Sequence, residues 1–289
     1  MPKLAANLTM LFNEHAFLER FEAAARAGFR GVEFLFPYAC HADQIADRLH
    51  RFQLDLVLHN LPAGHWDAGE RGIAVLPDRV GEFQDGVGEA IRYAKVLGVR
   101  QLNCLAGIRP ESVSEDVARR TLVDNLTFAA KALAAEQIDL LIEPINTFDL
   151  PGFYLCRTQQ ALDLIADVGA DNLFVQYDIY HMQRMEGEVA NTLRRHLDRI
   201  RHVQLADTPG AMSPAPARST TRSCSDGWMR LATTAGLDVS TNPRLGRLRG
   251  WAGGRLTRLL DGVFAFVWVL VVQRCWAWWC IPCFIPWRG

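Results

Sequence analysis

The chain has 289 residues, 49% of them hydrophobic, with 31 Lys+Arg against 32 Asp+Glu. That length and hydrophobic share suit one large α/β domain or two small ones with an ample core. A net charge of −1 argues against a bulk nucleic-acid binder.

The average hides a split at Gly210. Residues 1–210 hold 21 Lys+Arg and 29 Asp+Glu, a balance of −8, whereas residues 211–289 hold 10 Arg and three Asp, a balance of +7. Seven of the eight Trp also follow Gly210. The opening Met1-Pro2-Lys3-Leu4 lacks the apolar stretch and small-residue site of a secretory leader. Cys40, Cys104 and Cys156 are scattered as reduced cytosolic thiols are, so a cytoplasmic location is expected.

In chain order, Leu4–Leu8 reads as a short apolar strand. Asn13-Glu14-His15 leads into a helix over 16–27 that Gly28 ends. A second strand covers 31–35, a second helix 42–52 and a third strand 54–60. A long connection follows, 61–77, of the length that compact domains keep for function. A helix over 80–97 and a strand over 101–106 come next. Ser112, three residues before Glu115, has capping-box spacing for a helix running to about Glu136. Ile138-Asp139-Leu140-Leu141-Ile142 is a short apolar run that reads as a buried parallel strand, ending in Glu143 and, beyond Pro144-Ile145, Asn146. A helix over 158–168, a strand over 173–179, a helix over 189–198 and a strand over 200–206 complete the pattern.

Strands and helices thus alternate about every 30 residues, as parallel crossovers require. Seven regular units point to a (β/α)₈ barrel with one unit unaccounted for. A doubly wound open sheet is the competing architecture, but no Gly-rich phosphate loop follows the first strand.

Polar residues stand at the ends of three consecutive strands: Glu143, Asp178 and Gln204. Their spacings of 35 and 26 each correspond to one βα unit, so in a barrel they converge at one mouth, where such folds bind ligands. Taken singly, each has an ordinary explanation: an Arg partner for Glu143, a helix cap for Asp178, a strand neighbour for Gln204. Together they offer oxygen ligands suited to a hard divalent cation, Mg²⁺ or Mn²⁺, rather than to a thiolate-bound zinc. His181 and Asp207 share that rim. His59, at the end of the third strand, is either a mouth residue or a buried core histidine.

Four runs, in order and at the right separations, carry a resemblance. They are Asn60-Leu61-Pro62-Ala63-Gly64-His65-Trp66 with Gly69-Glu70-Arg71-Gly72, then Ile142-Glu143-Pro144-Ile145-Asn146, Tyr177-Asp178-Ile179-Tyr180-His181 and His202-Val203-Gln204-Leu205-Ala206-Asp207. Residues 1–210 resemble the hydroxypyruvate isomerases, metal-dependent barrels of the xylose isomerase-like type. The resemblance implies Glu143, Asp178 and Gln204 as metal ligands, with Glu143 also one of two catalytic acid/base glutamates. It also implies a small hydroxy-oxo acid substrate interconverted through an enediol. Arg71 is the candidate cation for the substrate's carboxylate, and His65, Trp66 and His181 are candidate substrate-binding residues. 2-Oxo-tetronate isomerases and sugar 3-epimerases share the architecture. Endonuclease IV does too, but the acidic segment and the few rim histidines disfavour DNA. No nucleic-acid or membrane partner is expected, and a homo-oligomer is compatible with the sequence.

The pattern breaks after Asp207-Thr208-Pro209-Gly210. The family continues Arg-His-Glu-Pro-Gly-Thr-Gly-Glu-Ile-Asn-Tyr and later presents Gly-Cys-Glu-Tyr-Lys-Pro on its eighth strand, with the second catalytic Glu. Codons can be chosen for residues 211–221 that, read one base earlier, spell the first of these runs in full. At the same offset residues 237–243 spell the second, with its Glu at the place of Ser240. One lost base near codon 211 accounts for this, so residues 211–289 are expected to be an out-of-frame tail without a defined domain. The eighth barrel unit is then missing or corrupted, the edges of strands one and seven lie open, and activity is impaired. Within the tail, Val263–Val272 is apolar for only ten residues, short of the roughly 20 of a membrane helix. Cys280-Ile281-Pro282-Cys283 lacks the βαβ context of a redox motif, and Trp276, Trp278 and Trp279 form no more than an isolated interfacial cluster.

Overall fold

Strands that are covered on both faces must be apolar nearly throughout, and the chain meets this condition repeatedly. The computed structural model describes residues 3–205 and the backbone of residues 268–270. Strands β1 (Lys3–Asn7), β2 (Gly31–Glu33), β3 (Asp55–Asn60), β4 (Gln101–Cys104), β5 (Asp139–Ile142), β6 (Leu173–Asp178) and β7 (Ile200–Gln204) follow one another, and β6 is buried at every position. All neighbouring pairs are parallel. The intervening helices are α1 (Arg20–Arg26), α2 (Ala42–Phe52), α3 (Val80–Leu97), α4 (Glu115–Ala134) and α5 (Thr158–Val168), then α6 (Ile179–Met185) and α7 (Val189–His196).

The eighth place is not vacant. Strand β8 (Trp268–Leu270) pairs in parallel with β1 through Lys3↔Trp268, Leu4↔Val269 and Ala5↔Leu270, and with β7 through Val203↔Val269. The eight strands form a closed barrel. This corrects the expectation that the edges of strands one and seven lie open. The reason is physical: β8 comes from the centre of the apolar run 263–272, the kind of sequence a parallel strand needs. The remainder of the tail, with Ser240 and the Cys280/Cys283 pair, lies outside the described residues, as does Asp207.

Two differences from the sequence reading concern helix starts. The cap of α4 is Ser114, whose hydroxyl accepts from the Val117 amide at 3.4 Å, and Glu115 and Asp116 then fall in the first turn. Carboxylates there offset the exposed amides of the helix end, which Ser112 as cap would not achieve as well. Helix α6 was not foreseen because it starts directly after β6, with Asp178 as its cap.

Alternation along the strands builds the barrel interior in layers. Ala5, Val57, Leu141 and Phe174 belong to a small apolar cluster separate from the main core between strands and helices. Beyond them, toward the carboxyl ends of the same four strands, stand Asn7, Asn60, Glu143 and Gln176, all buried. The interior is therefore apolar below and polar toward the carboxyl ends of the strands. Outside, Val32, Leu102, Leu140 and Val175 join Phe21, Ile45, Val87, Leu122 and Leu164 in the main core.

The long connection 61–77 is pinned to the barrel by two glycines. Gly72 (φ +119°) and Gly107 (φ +105°) face each other so closely that a Cβ on Gly72 would lie 2.4 Å from the Leu105 carbonyl oxygen, and one on Gly107 2.4 Å from the Gly72 oxygen. Gly69 (φ +95°) has open space at the same point. We expect Gly72→Ala to cost roughly 3 kcal/mol or more, from backbone collision added to positive φ, and Gly69→Ala only about 1 kcal/mol. Thermal denaturation of the two variants checks this; equal losses would contradict it.

Candidate active site

The carboxyl ends of β5, β6 and β7 deliver the site. Glu143 follows the last residue of β5, Asp178 ends β6 and Gln204 ends β7. Asp178 and Gln204 are register partners, so they stand side by side. Asp178 caps α6 by accepting at Oδ1 from the amides of Tyr180 at 2.7 Å and His181 at 3.4 Å. That cap swings the first turn of α6 over the mouth and brings His181 to the carboxylates. Its Nε2 lies 4.0 Å from Glu143 Oε1 and 3.8 Å from Asp178 Oδ2. Glu143, Asp178 and His181 are the acid/histidine group whose ligand atoms, among the described residues, all lie within 4.8 Å of one another.

Gln204 joins through hydrogen bonds. Its Oε1 accepts from Gln176 Nε2 at 2.9 Å and its Nε2 donates to Glu33 Oε1 at 2.7 Å. Glu33 is 1% exposed and accepts also from Asn7 Nδ2 at 3.0 Å, while its Oε2 lies 2.6 Å from His202 Nε2. Glu143 accepts at Oε2 from Asn103 Nδ2 at 3.0 Å, and Gln176 is a further hydrogen-bond partner of its carboxylate. Asn103 Nδ2 also donates to Asn60 Oδ1 at 3.3 Å, so the polar layer is one connected network across seven strands.

Burial sets the protonation of these groups. Desolvation, and then the charge of Asp178, push the Glu143 carboxyl well above the usual carboxylate range, against the opposing bonds from Asn103 and Gln176. Desolvation also raises Asp178, with His181 and two backbone amides pulling the other way. Burial lowers His181. Two adjacent buried carboxylates with raised pKa values, a side-chain amide oxygen nearby and, among the described residues, no basic direct partner except His181 form a donor set that a hard divalent cation fits.

The predicted loop residues form a second group. The Arg71 guanidinium stacks on Trp66, 4.2 Å from the ring centroid, and Trp66 packs on Phe36 at 4.9 Å. Arg71 Nη1 donates to the carbonyls of Trp66 at 2.9 Å and Glu70 at 2.7 Å, and its Nε is buried with no hydrogen-bond partner. Arg71 is therefore committed to its own loop rather than to the carboxylates. His65 is exposed, and its backbone amide donates to Glu70, whose other oxygen takes Arg79. His59 is fully buried, stacks on Phe34 at 6.4 Å, and is driven by desolvation down to about 4, which makes it an uncharged interior histidine.

Sequence reasoning singled out Glu143, Asp178, His181 and Gln204, which the structure brings together. It missed Asn7, Glu33, Asn103 and Gln176. The available signal was the one used for the others, a polar residue at or near the carboxyl end of an apolar strand.

The family model described as Xylose isomerase-like TIM barrel matches residues 21–230. The chain is 56% identical over 214 residues to a protein named hydroxypyruvate isomerase from Escherichia coli (strain K12), covering 74% of this chain and 83% of that protein. It is 47% identical to a protein named 2-oxo-tetronate isomerase from Cupriavidus necator, covering 74% and 82% respectively. Among solved structures, that of AP endonuclease, family 2 from Brucella melitensis matches with a TM-score of 0.75 at 39% identity, covering 82% of this chain and 90% of the other.

A raised carboxyl pKa means that the folded state binds more protons than the unfolded state, so stability falls as pH rises through that window. Without a cation, Glu143→Gln should be more stable than the parent at about pH 8 by on the order of 1 kcal/mol, and the gain should shrink toward about pH 5. Paired melting curves measure this; a difference that stays constant with pH would contradict it.

Proposed function

The chain belongs to the xylose isomerase-like TIM barrel family and is an isomerase of the aldose–ketose type; we propose that its reaction interconverts hydroxypyruvate and 2-hydroxy-3-oxopropanoate through an enediol. The observation that carries this reading is Glu143: a buried carboxylate with a raised pKa, beside Asp178 and faced by His181. Such a group is a stronger base than an exposed glutamate when ionised.

Glu143 takes the proton from C3 of hydroxypyruvate. The electron pair forms the C2–C3 double bond, and the C2 oxygen takes up the negative charge. Return of a proton to C2, with the C3 hydroxyl proton passing to the C2 oxygen, gives the aldehyde and the C2 hydroxyl. His181 donates to a substrate oxygen at Nε2. Glu143, Asp178 and Gln204 would hold a divalent cation, Mg²⁺ or Mn²⁺, whose chemistry there is stabilisation of negative charge on the substrate oxygens. Arg71, stacked on Trp66 and with buried Nε unpaired, is the group we assign to the substrate's carboxylate, with His65 and Trp66 as its cover.

The second acid/base glutamate of this group falls at Ser240. We infer that residues 1–210 are the isomerase domain and that 211–289 result from one lost base. The chain as written then carries out the first proton transfer and completes the isomerisation poorly. Cytoplasmic operation fits the free Cys40, Cys104 and Cys156, and no helix of the described residues is long and apolar enough to cross a membrane. No nucleic-acid partner is proposed.

The test compares the chain as written with a version restored in frame after codon 210, on hydroxypyruvate, 2-oxo-tetronate, a neutral ketose and abasic DNA. We expect the restored chain to isomerise hydroxypyruvate with the highest kcat/KM, and the chain as written to fall at least about 100-fold below it, the scale of losing one acid/base group. Preference for 2-oxo-tetronate would move the assignment to that substrate. Cleavage of abasic DNA without isomerisation would overturn it.

A further inference from the structure

The orientation of Asn146 is fixed by three separate contacts. Its Oδ1 accepts from the backbone amides of Phe148 at 3.1 Å and Asp149 at 2.9 Å. Backbone amides only donate, so the oxygen must be the atom placed there. On the other side, Nδ2 donates to Asp149 Oδ2 at 2.9 Å, and a carboxylate oxygen accepts. The same Nδ2 lies 2.7 Å from His181 Nδ1. An amide NH₂ has no acceptor lone pair, so the contact requires His181 Nδ1 to accept. Asn146 is fully buried and His181 nearly so, which leaves no solvent to relax the pairing. Asp149 is itself held by the Tyr180 hydroxyl at 2.6 Å and by Arg184, so the donor is anchored from behind.

We propose that Asn146 is a positioning residue that keeps His181 Nδ1 an acceptor, so that the ring proton sits on Nε2 and the ring presents an N–H, not a lone pair, to the space between Glu143 and Asp178. The other ring nitrogen routinely sets which atom of a histidine faces a site. Two consequences follow. His181 is not a cation ligand in spite of its distance from the carboxylates, and the ligand set reduces to the oxygens of Glu143, Asp178 and Gln204. The separations of 4.0 Å and 3.8 Å from Nε2 to the two carboxylates are too long for direct hydrogen bonds and leave the N–H for an oxygen arriving between them. That this oxygen belongs to the substrate rests on the isomerase reading above; the position of the proton does not.

The experiment is long-range ¹H–¹⁵N correlation NMR of the histidine rings in the ¹⁵N-labelled full-length chain, without metal or substrate. His181 is assigned by the signal missing from His181→Gln. We expect a bare Nδ1 and a protonated Nε2 in the parent. In Asn146→Asp, a carboxylate facing Nδ1 should draw a proton onto it. A parent ring with its proton on Nδ1 overturns the proposal, even if the variant fails to fold. So does a folded Asn146→Asp whose ring is unchanged. In the frame-restored enzyme, Asn146→Asp should lower kcat at least about tenfold with KM changed less. If the ring proton moves as expected and kcat does not, the positional claim stands and the catalytic consequence falls. If neither parent nor variant isomerises anything, the function reading falls while the NMR result still decides the proton.

Discussion

Glu143 and Asp178 sit within a few ångströms of each other inside a barrel mouth from which most water is excluded. Burying one carboxylate is expensive, and burying two side by side more so. Much of the upper barrel is arranged around that cost. Asn103 and Gln176 supply hydrogen bonds to Glu143, and Asp178 satisfies one oxygen on the amides of α6. These bonds only partly offset desolvation, since both carboxyls remain above their ordinary range. A site in which charge is held at a disadvantage until a cation and a substrate arrive is prepared for proton abstraction. The apolar layer of Ala5, Val57, Leu141 and Phe174 beneath keeps the floor dry.

The network also explains why the cluster has a defined geometry. Gln204 is held at both ends, by Gln176 and by Glu33, and Glu33 is held in turn by Asn7 and faced by His202. A single change in this set leaves a buried partner unsatisfied, which costs more than the bond itself contributes. The loop 61–77 is fixed by a different device, the backbone contact of Gly72 with Gly107. The carboxylate centre and the Arg71–Trp66 group are thus held independently of each other, by hydrogen bonds in one case and by close packing in the other.

Much of this was legible in the sequence, and the gaps have physical causes. Glu143, Asp178 and Gln204 could be found because they fall one unit apart at the ends of consecutive strands. Glu33 and Asn103 follow the same rule but read singly as polar residues in apolar runs; their partners lie 171 and 40 positions away in the chain, beyond any local pattern. Helix α6 was invisible because no turn separates it from β6, and periodicity does not mark a boundary where a strand residue is itself the cap. The closure by β8 was missed for another reason. A three-residue parallel strand needs little more than apolar character and a gap to fill, and Val263–Val272 offered the first while the missing eighth unit offered the second. The closure has three register pairs with β1, as many as β1 has with β2, and one with β7.

The most direct test of the central claim, that Glu143 removes the C3 proton of hydroxypyruvate at this site, does not need the second acid/base group. Hydroxypyruvate is incubated in D₂O with the chain as written and Mg²⁺ or Mn²⁺, and the C3 hydrogens are followed by ¹H NMR. The account predicts deuterium entering C3 faster than in the enzyme-free control, with the excess lost in Glu143→Gln and on removal of the cation. Exchange no faster than the control in both the chain as written and its frame-restored version, or undiminished by Glu143→Gln, would contradict it.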